Sequence, residues 1–240
     1  MNWLQNGAGL VFTLAQDKKV EASFFMKVVE QSIWIGIGAC ALLGLFCGYL
    51  LFRRIKQKSF PGPEAEQAFL NDVGECLDRN DFEGALALCD TPTLWNRALP
   101  QLAMLAVQQR DRPVGKIRQM LMERFERDIM SGLDRLNSWV ATAIKTAPQL
   151  GLLGTVLGMI NAFSKIAGAA SSGVDPKDLA MDISFALWTT AAGMAISIPL
   201  IVINSAAQNK INGLQESVDE GLGPLLEDLA AARQRDGVKT

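Results

Sequence analysis

The sequence predicts an all-α integral membrane protein with three transmembrane helices. The 240 residues are 49% hydrophobic but also 20% charged, so the apolar residues must be concentrated in blocks. Three stretches without charge contain 22, 19 and 27 residues, and an α-helix needs about 20 to cross the hydrocarbon core of a bilayer. Buried helices of a large soluble protein are the alternative, but apolar runs there are shorter, about 10 to 14 residues. The stretches lie between Glu30 and Arg53, between Lys145 and Lys165, and between Asp182 and Lys210.

Seven segments follow from these stretches in chain order. The first is a periplasmic N-terminus, in which residues 22–32 are expected to form an interfacial helix that leads into the membrane. A large cytoplasmic helical domain separates the first two transmembrane helices, and a short periplasmic loop separates the last two. The predicted boundaries are 1–32 for the N-terminus, 33–52, 138–165 and 182–206 for the transmembrane helices, 53–137 for the cytoplasmic domain, 166–181 for the loop and 207–240 for a cytoplasmic C-terminal helix or tail.

Basic residues set this orientation, because lysine and arginine beside transmembrane helices are retained in the cytoplasm. The run RRIKQK at residues 53–58 contains four basic residues and no acid. Residues 1–32 instead balance three lysines against three acids, and residues 165–182 contain two lysines and three aspartates. We therefore expect the N-terminus and the loop between the last two spans to be periplasmic.

The end of the predicted cytoplasmic domain has the pattern of a long amphipathic helix. Apolar residues recur there every three or four positions, which is the spacing of one helical face. No strong stop signal separates this helix from the second span, so we expect one continuous helix, with Pro148 as the site of any bend. The apolar positions are Ile117, Met120, Leu121, Phe125, Ile129, Leu133 and Leu136.

The composition argues against several kinds of catalytic and binding site. The chain has no histidine, which removes imidazole metal ligands and the serine–histidine and cysteine–histidine nucleophiles. It contains no GxxxxGK[ST] phosphate loop, and its four cysteines form no CxxC pair. The net charge of −2 does not suit a strongly basic nucleic-acid binder. We therefore expect no enzyme activity, cofactor, metal or nucleic-acid partner.

Small residues recur along the predicted spans at distances that suit helix packing. Gly151, Gly154 and Gly158 lie in the second span, and Gly193 lies in the third. Small residues let helix backbones approach closely in lipid, where association depends on packing. The pattern fits a monomeric three-helix bundle as well as an oligomer.

Polar residues follow the same spans at helical spacing. Thr155 and Asn161 fall on one face of the second span, and Thr190 and Ser197 fall on one face of the third. Polar groups within a membrane are tolerated where they meet a partner helix or a water-filled cavity. Alternatively, the threonine hydroxyls bond to the backbone of their own helix. Asp182 is expected at the outer membrane interface.

Two segments of the sequence resemble a known family. GLLGTVLGMINAF at residues 151–163 and ALWTTAAGMAISIP at residues 186–199 are similar to the paired signature of the MotA/TolQ/ExbB proton-channel family, closest to its ExbB and TolQ branch. The resemblance implies a bacterial inner-membrane protein that forms a homo-oligomeric ring, usually a pentamer, with long helices extending into the cytoplasm. It also implies a dimer of a single-span ExbD- or TolR-like partner in a central pore, and a TonB- or TolA-like protein that is driven in the periplasm.

The resemblance also assigns roles to the polar residues. Thr155 and Thr190 match the family threonines that face the partner, whose single membrane aspartate carries the proton. A hydroxyl can donate to a carboxylate and accept from water, so these threonines could stabilise that aspartate. With Asn161 and Ser197 on the same faces, they form the predicted proton pathway and partner-facing pore.

One departure from the family pattern leaves alternatives open. The ExbB and TolQ group commonly has a glutamate five residues before the second threonine, where this chain has Phe185. Asp182 could replace that carboxylate at the pore entry. The implied function is a proton-channel and motor subunit that converts proton motive force into work, with TonB-dependent import as the expected output. A flagellar or gliding stator subunit and a non-conducting membrane scaffold are the alternatives.

Overall fold

The computed structural model describes residues 3–168 and 175–237, which form helices joined by short connections, with no strand among them. A π-helical turn at Glu126–Met130 joins the fifth helix to the sixth. The predicted all-α class is confirmed. The helices are α1 (Trp3–Lys58), α2 (Pro63–Asp78), α3 (Phe82–Cys89), α4 (Ala98–Gln108), α5 (Val114–Phe125), α6 (Ser131–Gly168) and α7 (Pro176–Gly237).

Three helical stretches are long and apolar enough to cross a membrane. They belong to α1, to the helix that runs from Val114 to Gly168, and to α7. The chain is therefore a membrane protein with three long apolar helices. The predicted continuity between residue 114 and the second span is confirmed, because α5, the π turn and α6 follow one another without a break. Pro148 lies inside α6.

The helix ends differ from the predicted segment boundaries. The predicted interfacial helix at 22–32 is part of α1, which has no break before the first predicted span. Helix also covers both ends of the predicted loop at 166–181, because α6 continues to Gly168 and α7 begins at Pro176. The part of that loop at 169–174 lies outside the described residues. The division between periplasm and cytoplasm stays a prediction.

Contacts divide the chain into two compact units. The first contains Met1–Gly44 and Ala141–Ile201, and we call it the small-residue unit. The second contains Leu45–Val140 and Val202–Thr240, and we call it the large-core unit. The candidate site lies in the small-residue unit.

The large-core unit is built around a cluster of large apolar side chains. Leu121 and Phe125 from α5 and Leu222 and Leu229 from α7 are between 0 and 2% exposed. Fully burying such a side chain stabilises a fold by about 1.5–3 kcal/mol. The cluster takes side chains from all seven helices, so it is a single core that orders the whole unit.

A repeat of four residues runs through the π turn. Ile117, Leu121, Phe125, Ile129 and Leu133 are all buried. In an α-helix with 3.6 residues per turn, each step of four residues drifts around the axis by about 40°. A π turn is wider and accommodates an additional residue, which reduces this drift. The turn therefore helps to keep the five side chains on one side of the helix.

One carboxyl group of the large-core unit lies in an unfavourable electrostatic environment. Burial raises the pKa of Asp228 above its ordinary value, and the neighbouring carboxylates of Asp78 and Glu227 raise it further. Arg235 acts in the opposite direction but is the smallest of these influences. The charged form of Asp228 is therefore disfavoured in the folded protein.

In the small-residue unit, glycines of α1 lie against α6 and α7. A methyl group placed on Gly36 would lie 3.1 Å from Cδ1 of Leu150. A methyl group on Gly44 would lie 3.3 Å from Cβ of Ala143 and 2.6 Å from Cδ1 of Leu200. The residue numbers of α6 fall as those of α1 rise, so the two helices are antiparallel. Each contact also identifies residues of different helices that lie at the same height, by which we mean the same position along the helix axes.

Candidate functional site

Gly151 and Gly154 of α6 lie directly against α7. A methyl group on Gly151 would be 2.7 Å from the backbone oxygen of Thr189, and one on Gly154 would overlap the Thr189 side chain. Neither distance leaves room for a side-chain carbon, so only glycine allows this approach. Close approach of this kind is how helices associate in lipid.

Two further glycines extend the contact in both directions. A methyl group on Gly158 would lie 2.6 Å from Cβ of Ala186, and one on Gly193 would lie 2.6 Å from the backbone oxygen of Ala147. The four glycines predicted for helix packing therefore all face the opposite helix within this chain. The interface of α6 and α7 leaves the carbonyl groups of one helix within reach of the hydroxyl groups of the other.

Two adjacent threonines of α7 share an acceptor on α6. Thr190 Oγ1 donates to the carbonyl oxygen of Gly151 at 3.0 Å. Thr189 Oγ1 lies 3.2 Å from the same oxygen and 2.8 Å from the carbonyl oxygen of Ala186. Thr189 is fully buried, whereas Thr190 is half-buried. Sequence reasoning identified Thr190 but missed Thr189, because both lie in the same motif and spacing alone does not say which of the two is buried against α6.

The other two predicted hydroxyl groups bond within their own helices. Thr155 Oγ1 donates to the carbonyl oxygen of Leu152 at 2.6 Å, and Ser197 Oγ donates to that of Met194 at 3.1 Å. This is the backbone bonding that the sequence left open as an alternative. Thr155 is half-buried, but Ser197 is only 5% exposed. The structure therefore leaves Thr155 and Thr190 partly accessible and encloses Ser197.

Asn161 is bonded to α1. Its Nδ2 donates to Oε1 of Glu30 at 2.7 Å, and both side chains are half-buried. The two residues are 131 positions apart in the sequence, so no local pattern could pair them. Glu30 was missed for that reason, although its place at the end of an uncharged stretch was a signal. The structure thus provides a carboxylate beside Asn161 that the motif itself lacks.

Phe185, which stands where the resemblance implies a glutamate, makes an aromatic contact. The ring of Phe185 makes an edge-to-face contact with Trp34 of α1, with ring centroids 6.3 Å apart. Asp182, the predicted substitute carboxylate, forms an ion pair with Lys165 at 2.7 Å. Asp182 is therefore held by a cation near the end of α6.

The interface of α6 and α7 contains hydroxyl groups without a carboxylate. Residues 146–164 and 183–209 contain no aspartate or glutamate. A hydroxyl group that donates to a backbone carbonyl keeps lone pairs that accept a hydrogen bond from another donor. The interface can therefore bind water or a protonated carboxyl group, although neither α6 nor α7 contributes an acid to it within these two ranges. No cluster able to hold a metal ion occurs among the described residues.

These features define an α-helical membrane protein in which two apolar helices meet through glycine and threonine and leave two hydroxyl groups partly accessible. The family profile that fits the chain is described as the MotA/TolQ/ExbB proton channel family. It matches residues 95–220, which are 126 of the 240 residues and include both halves of the site. The chain belongs to the MotA/TolQ/ExbB proton channel family.

Curated relatives carry the ExbB name. Biopolymer transport protein exbB1 of Vibrio cholerae is 46% identical over 55 residues, which are 23% of this chain and 24% of that protein. Biopolymer transport protein ExbB of Helicobacter pylori is 39% identical over 70 residues, 29% of this chain and 47% of that protein. ExbB of Pseudomonas putida is 30% identical over 155 residues, 63% of this chain and 44% of that protein. The chain spans less than half the length of the curated relatives that it matches.

Proposed function

We propose that this chain is the channel and motor subunit of a proton-driven complex of the ExbB and TolQ type. It lies in the bacterial inner membrane with a periplasmic N-terminus and acts without enzymatic chemistry. Together with a single-span ExbD- or TolR-like partner, it converts proton motive force into work on a TonB- or TolA-like protein. TonB-dependent import is the proposed output, in keeping with the biopolymer transport proteins that the chain resembles.

The observation that supports this proposal is the absence of an acidic residue from the parts of α6 and α7 that carry the hydroxyl groups of the site. These parts carry partly accessible hydroxyl groups at Thr155 and Thr190, yet no aspartate or glutamate lies between residues 146 and 164 or between 183 and 209. A proton that crosses here needs a carrier that titrates. A membrane-embedded carboxylate from a second protein meets this need.

The proposed assembly is a ring of this chain, with the family's pentamer as the expected number, around a dimer of the partner. The half-buried hydroxyl of Thr190 already donates to Gly151, so its oxygen can accept a hydrogen bond from a protonated partner carboxyl group. After ionisation, the same hydroxyl can turn to donate to the carboxylate. Thr190 can thus stabilise both forms of the carrier, with Thr155 as the second hydroxyl group.

The energy available per proton limits the mechanism. One elementary charge that crosses the membrane releases about 2.3 kcal/mol per 100 mV. This is small compared with the energy needed to move a protein segment, so several protons must be used per working stroke. A ring of identical subunits around an asymmetric dimer suits such a repeated step.

The two threonines of α7 provide a matched test. The full-length protein and its single-span partner are reconstituted in vesicles, and proton flux is followed with an internal pH dye under an imposed membrane potential. Thr190→Val removes the partly accessible hydroxyl group and is expected to abolish partner-dependent flux. Thr189→Val removes a buried hydroxyl group and is expected to keep the flux while lowering stability by about 1 kcal/mol.

The outcomes separate the proposed functions. Flux that survives in Thr190→Val contradicts the role of its hydroxyl group. If the wild-type protein binds the partner but conducts no protons, the non-conducting scaffold is correct. If the complex conducts but its partner carries a cell-wall anchor that serves motility, the stator is correct. Co-purification followed by a mass measurement of the complex gives the number of copies in the ring.

A further inference from the structure

Lys145 is an exposed residue of α6 with no ion pair or hydrogen bond to the part of the chain that the structure describes. In the sequence it marks one end of the uncharged stretch of the second span. The contacts of the small-residue unit give its actual height.

Contacts between α1 and α6 place Lys145 beside the middle of the first span. Ala143 lies at the height of Gly44, and Leu150 lies at the height of Gly36. Lys145 is two residues from Ala143 and five from Leu150, so it lies level with α1 at about residue 42. That position is close to the centre of the uncharged stretch at 31–52.

Contacts with α7 give the same height independently. Ala147 lies beside Gly193, and Ala143 and Leu200 meet at Gly44. Lys145 is therefore level with α7 between Gly193 and Leu200. This part of α7 also lies well inside an uncharged stretch, at 183–209. Both neighbouring helices thus place the lysine among apolar residues.

A lysine at this depth cannot reach the charged end of the neighbouring first span with its own side chain. Arg53 is eleven residues from position 42 of α1, which at 1.5 Å per residue is about 16 Å. The extended lysine side chain, with five bonds beyond Cα, reaches about 6 Å. An ammonium group held in hydrocarbon needs a counter-charge or a water-filled cavity.

Among the residues whose side chains the structure describes, no carboxylate lies at the required height. On α6 the nearest acidic residue is Asp134, eleven residues or about 16 Å away. Glu30 lies at the height of Asn161, and Asp182 lies at the height of Gly158, where its backbone oxygen would be 2.9 Å from an added methyl group. Asn161 and Gly158 are sixteen and thirteen residues from Lys145, or at least about 19 Å. A second copy in the same orientation has its acids at the same heights, so it cannot supply the counter-charge either.

We propose that Lys145 is a binding site for a carboxylate on a transmembrane helix of a different protein. Lys145 and Thr155 are ten residues apart on α6. At 100° and 1.5 Å per residue, they are about 80° apart around the helix and about 15 Å apart along it, so they lie on the same half of its surface. The inference rests on the proposed function for the identity of that protein, which is the single-span partner. A partner carboxylate then has two positions on this chain: hydroxyl groups at Thr155 and Thr190 where it can be neutral, and a cation at Lys145 where it is ionised. To occupy both in turn, the partner helix must shift by about 15 Å along the membrane normal.

The test uses a defined probe in place of the natural partner. The purified full-length protein is reconstituted in vesicles with a labelled peptide whose single apolar transmembrane helix carries one central aspartate. A twin peptide carries asparagine instead. We expect the wild-type protein to bind the aspartate peptide about tenfold more tightly at neutral pH, because one charged contact between helices gives a free-energy difference of this order.

Variants of this chain assign the difference to one side chain. Lys145→Met is expected to remove the preference for the aspartate peptide, whereas Lys145→Arg is expected to keep it. Gln149→Met, one turn away and also exposed, is the control and should behave like the wild-type protein. Isotope-edited infrared spectra of the labelled aspartate should show an ionised carboxylate with the wild-type protein and a protonated one with Lys145→Met.

Two results would overturn the inference: equal binding of the two peptides by the wild-type protein, or an unchanged preference in Lys145→Met. The second result would point to another donor. Because the peptide assay needs no proton flux, its failure is distinct from failure of the proposed function. A preference that depends on Lys145 would stand even if the partner complex did not conduct.

Discussion

The large-core unit and the small-residue unit are both helical, but they bury different side chains. In the large-core unit, contacts are made by residues such as Phe125 and Leu121, which are fully buried. In the small-residue unit, helices meet at Gly151, Gly154 and Gly158, and many large apolar side chains are exposed, including Trp188 at 67%. Burial of large side chains stabilises a fold in water, whereas in lipid close packing of the backbone takes that role. One chain therefore uses two ways of joining helices.

The largest expected effect tests this contrast with one substitution made in both units. Phe125→Ala should lower the free energy of unfolding by about 3–5 kcal/mol, because Phe125 is fully buried in the large-core unit. Phe163→Ala, in the small-residue unit, should change it by about 0.5 kcal/mol or less, because Phe163 is 61% exposed. Guanidinium titration in mild detergent, followed by circular dichroism, measures both. Equal losses in the two variants would remove the contrast.

The next largest effect is expected when a glycine of the small-residue unit is replaced by a larger residue. Gly158→Leu should separate α6 from α7, because even a methyl group there would lie 2.6 Å from Ala186 and 2.9 Å from the backbone oxygen of Asp182. Overpacking of this kind costs about 1–3 kcal/mol. Gly38→Leu is the control, because a methyl group on Gly38 would meet nothing within 4 Å. Unfolding in mixed micelles with rising SDS content measures both variants, and a harmless Gly158→Leu would mean that the glycine contact is not needed.

The smallest effect sharpens the description of the large-core unit. The folded-state pKa of Asp228 lies above its ordinary value of 3.8, so the folded protein holds this proton more tightly than the unfolded chain does. Stability therefore falls as the pH rises through that range, and the charged group destabilises the fold at neutral pH. Asp228→Asn should raise the unfolding midpoint at neutral pH, and the gain should shrink toward about pH 4.

Glu220→Gln on the same helix serves as the control for this prediction, because Glu220 is exposed. It should leave the unfolding midpoint nearly unchanged across the same pH range. A gain in Asp228→Asn that stays constant with pH would show that the effect comes from the change of shape and not from the charge.

The sequence was sufficient for the number of long apolar helices and for their class, because uncharged stretches of 19 to 27 residues are longer than the apolar runs of soluble helical proteins. It was also sufficient for the unbroken helix from Val114 to Gly168, since apolar residues repeat at helical spacing into the second span. Helical periodicity located the hydroxyl groups but not their neighbours. It could not distinguish Thr189 from Thr190, because the position of α6 around α7 depends on the packing of both helices.

Contacts between distant parts of the chain could not be predicted from the sequence. Glu30 and Asn161 are 131 residues apart, and no local pattern relates them. The height of Lys145 could not be predicted either, because a hydropathy analysis treats each charged residue as the end of a span. Only the contacts of Gly36 and Gly44 with α6 show that this charge lies level with the middle of α1.

The π turn at Glu126–Met130 determines how this part of the chain responds to a change in its length. Deleting one residue from the turn would restore ordinary helical pitch and leave eleven α-helical steps between Leu121 and Leu133, so both side chains would stay within about 20° of one face. A deletion in the α-helical part of α5 or α6 would instead rotate one side of the helix by about 100° relative to the other. The turn is therefore a place at which this helix tolerates a change of length that would misplace several anchoring side chains elsewhere.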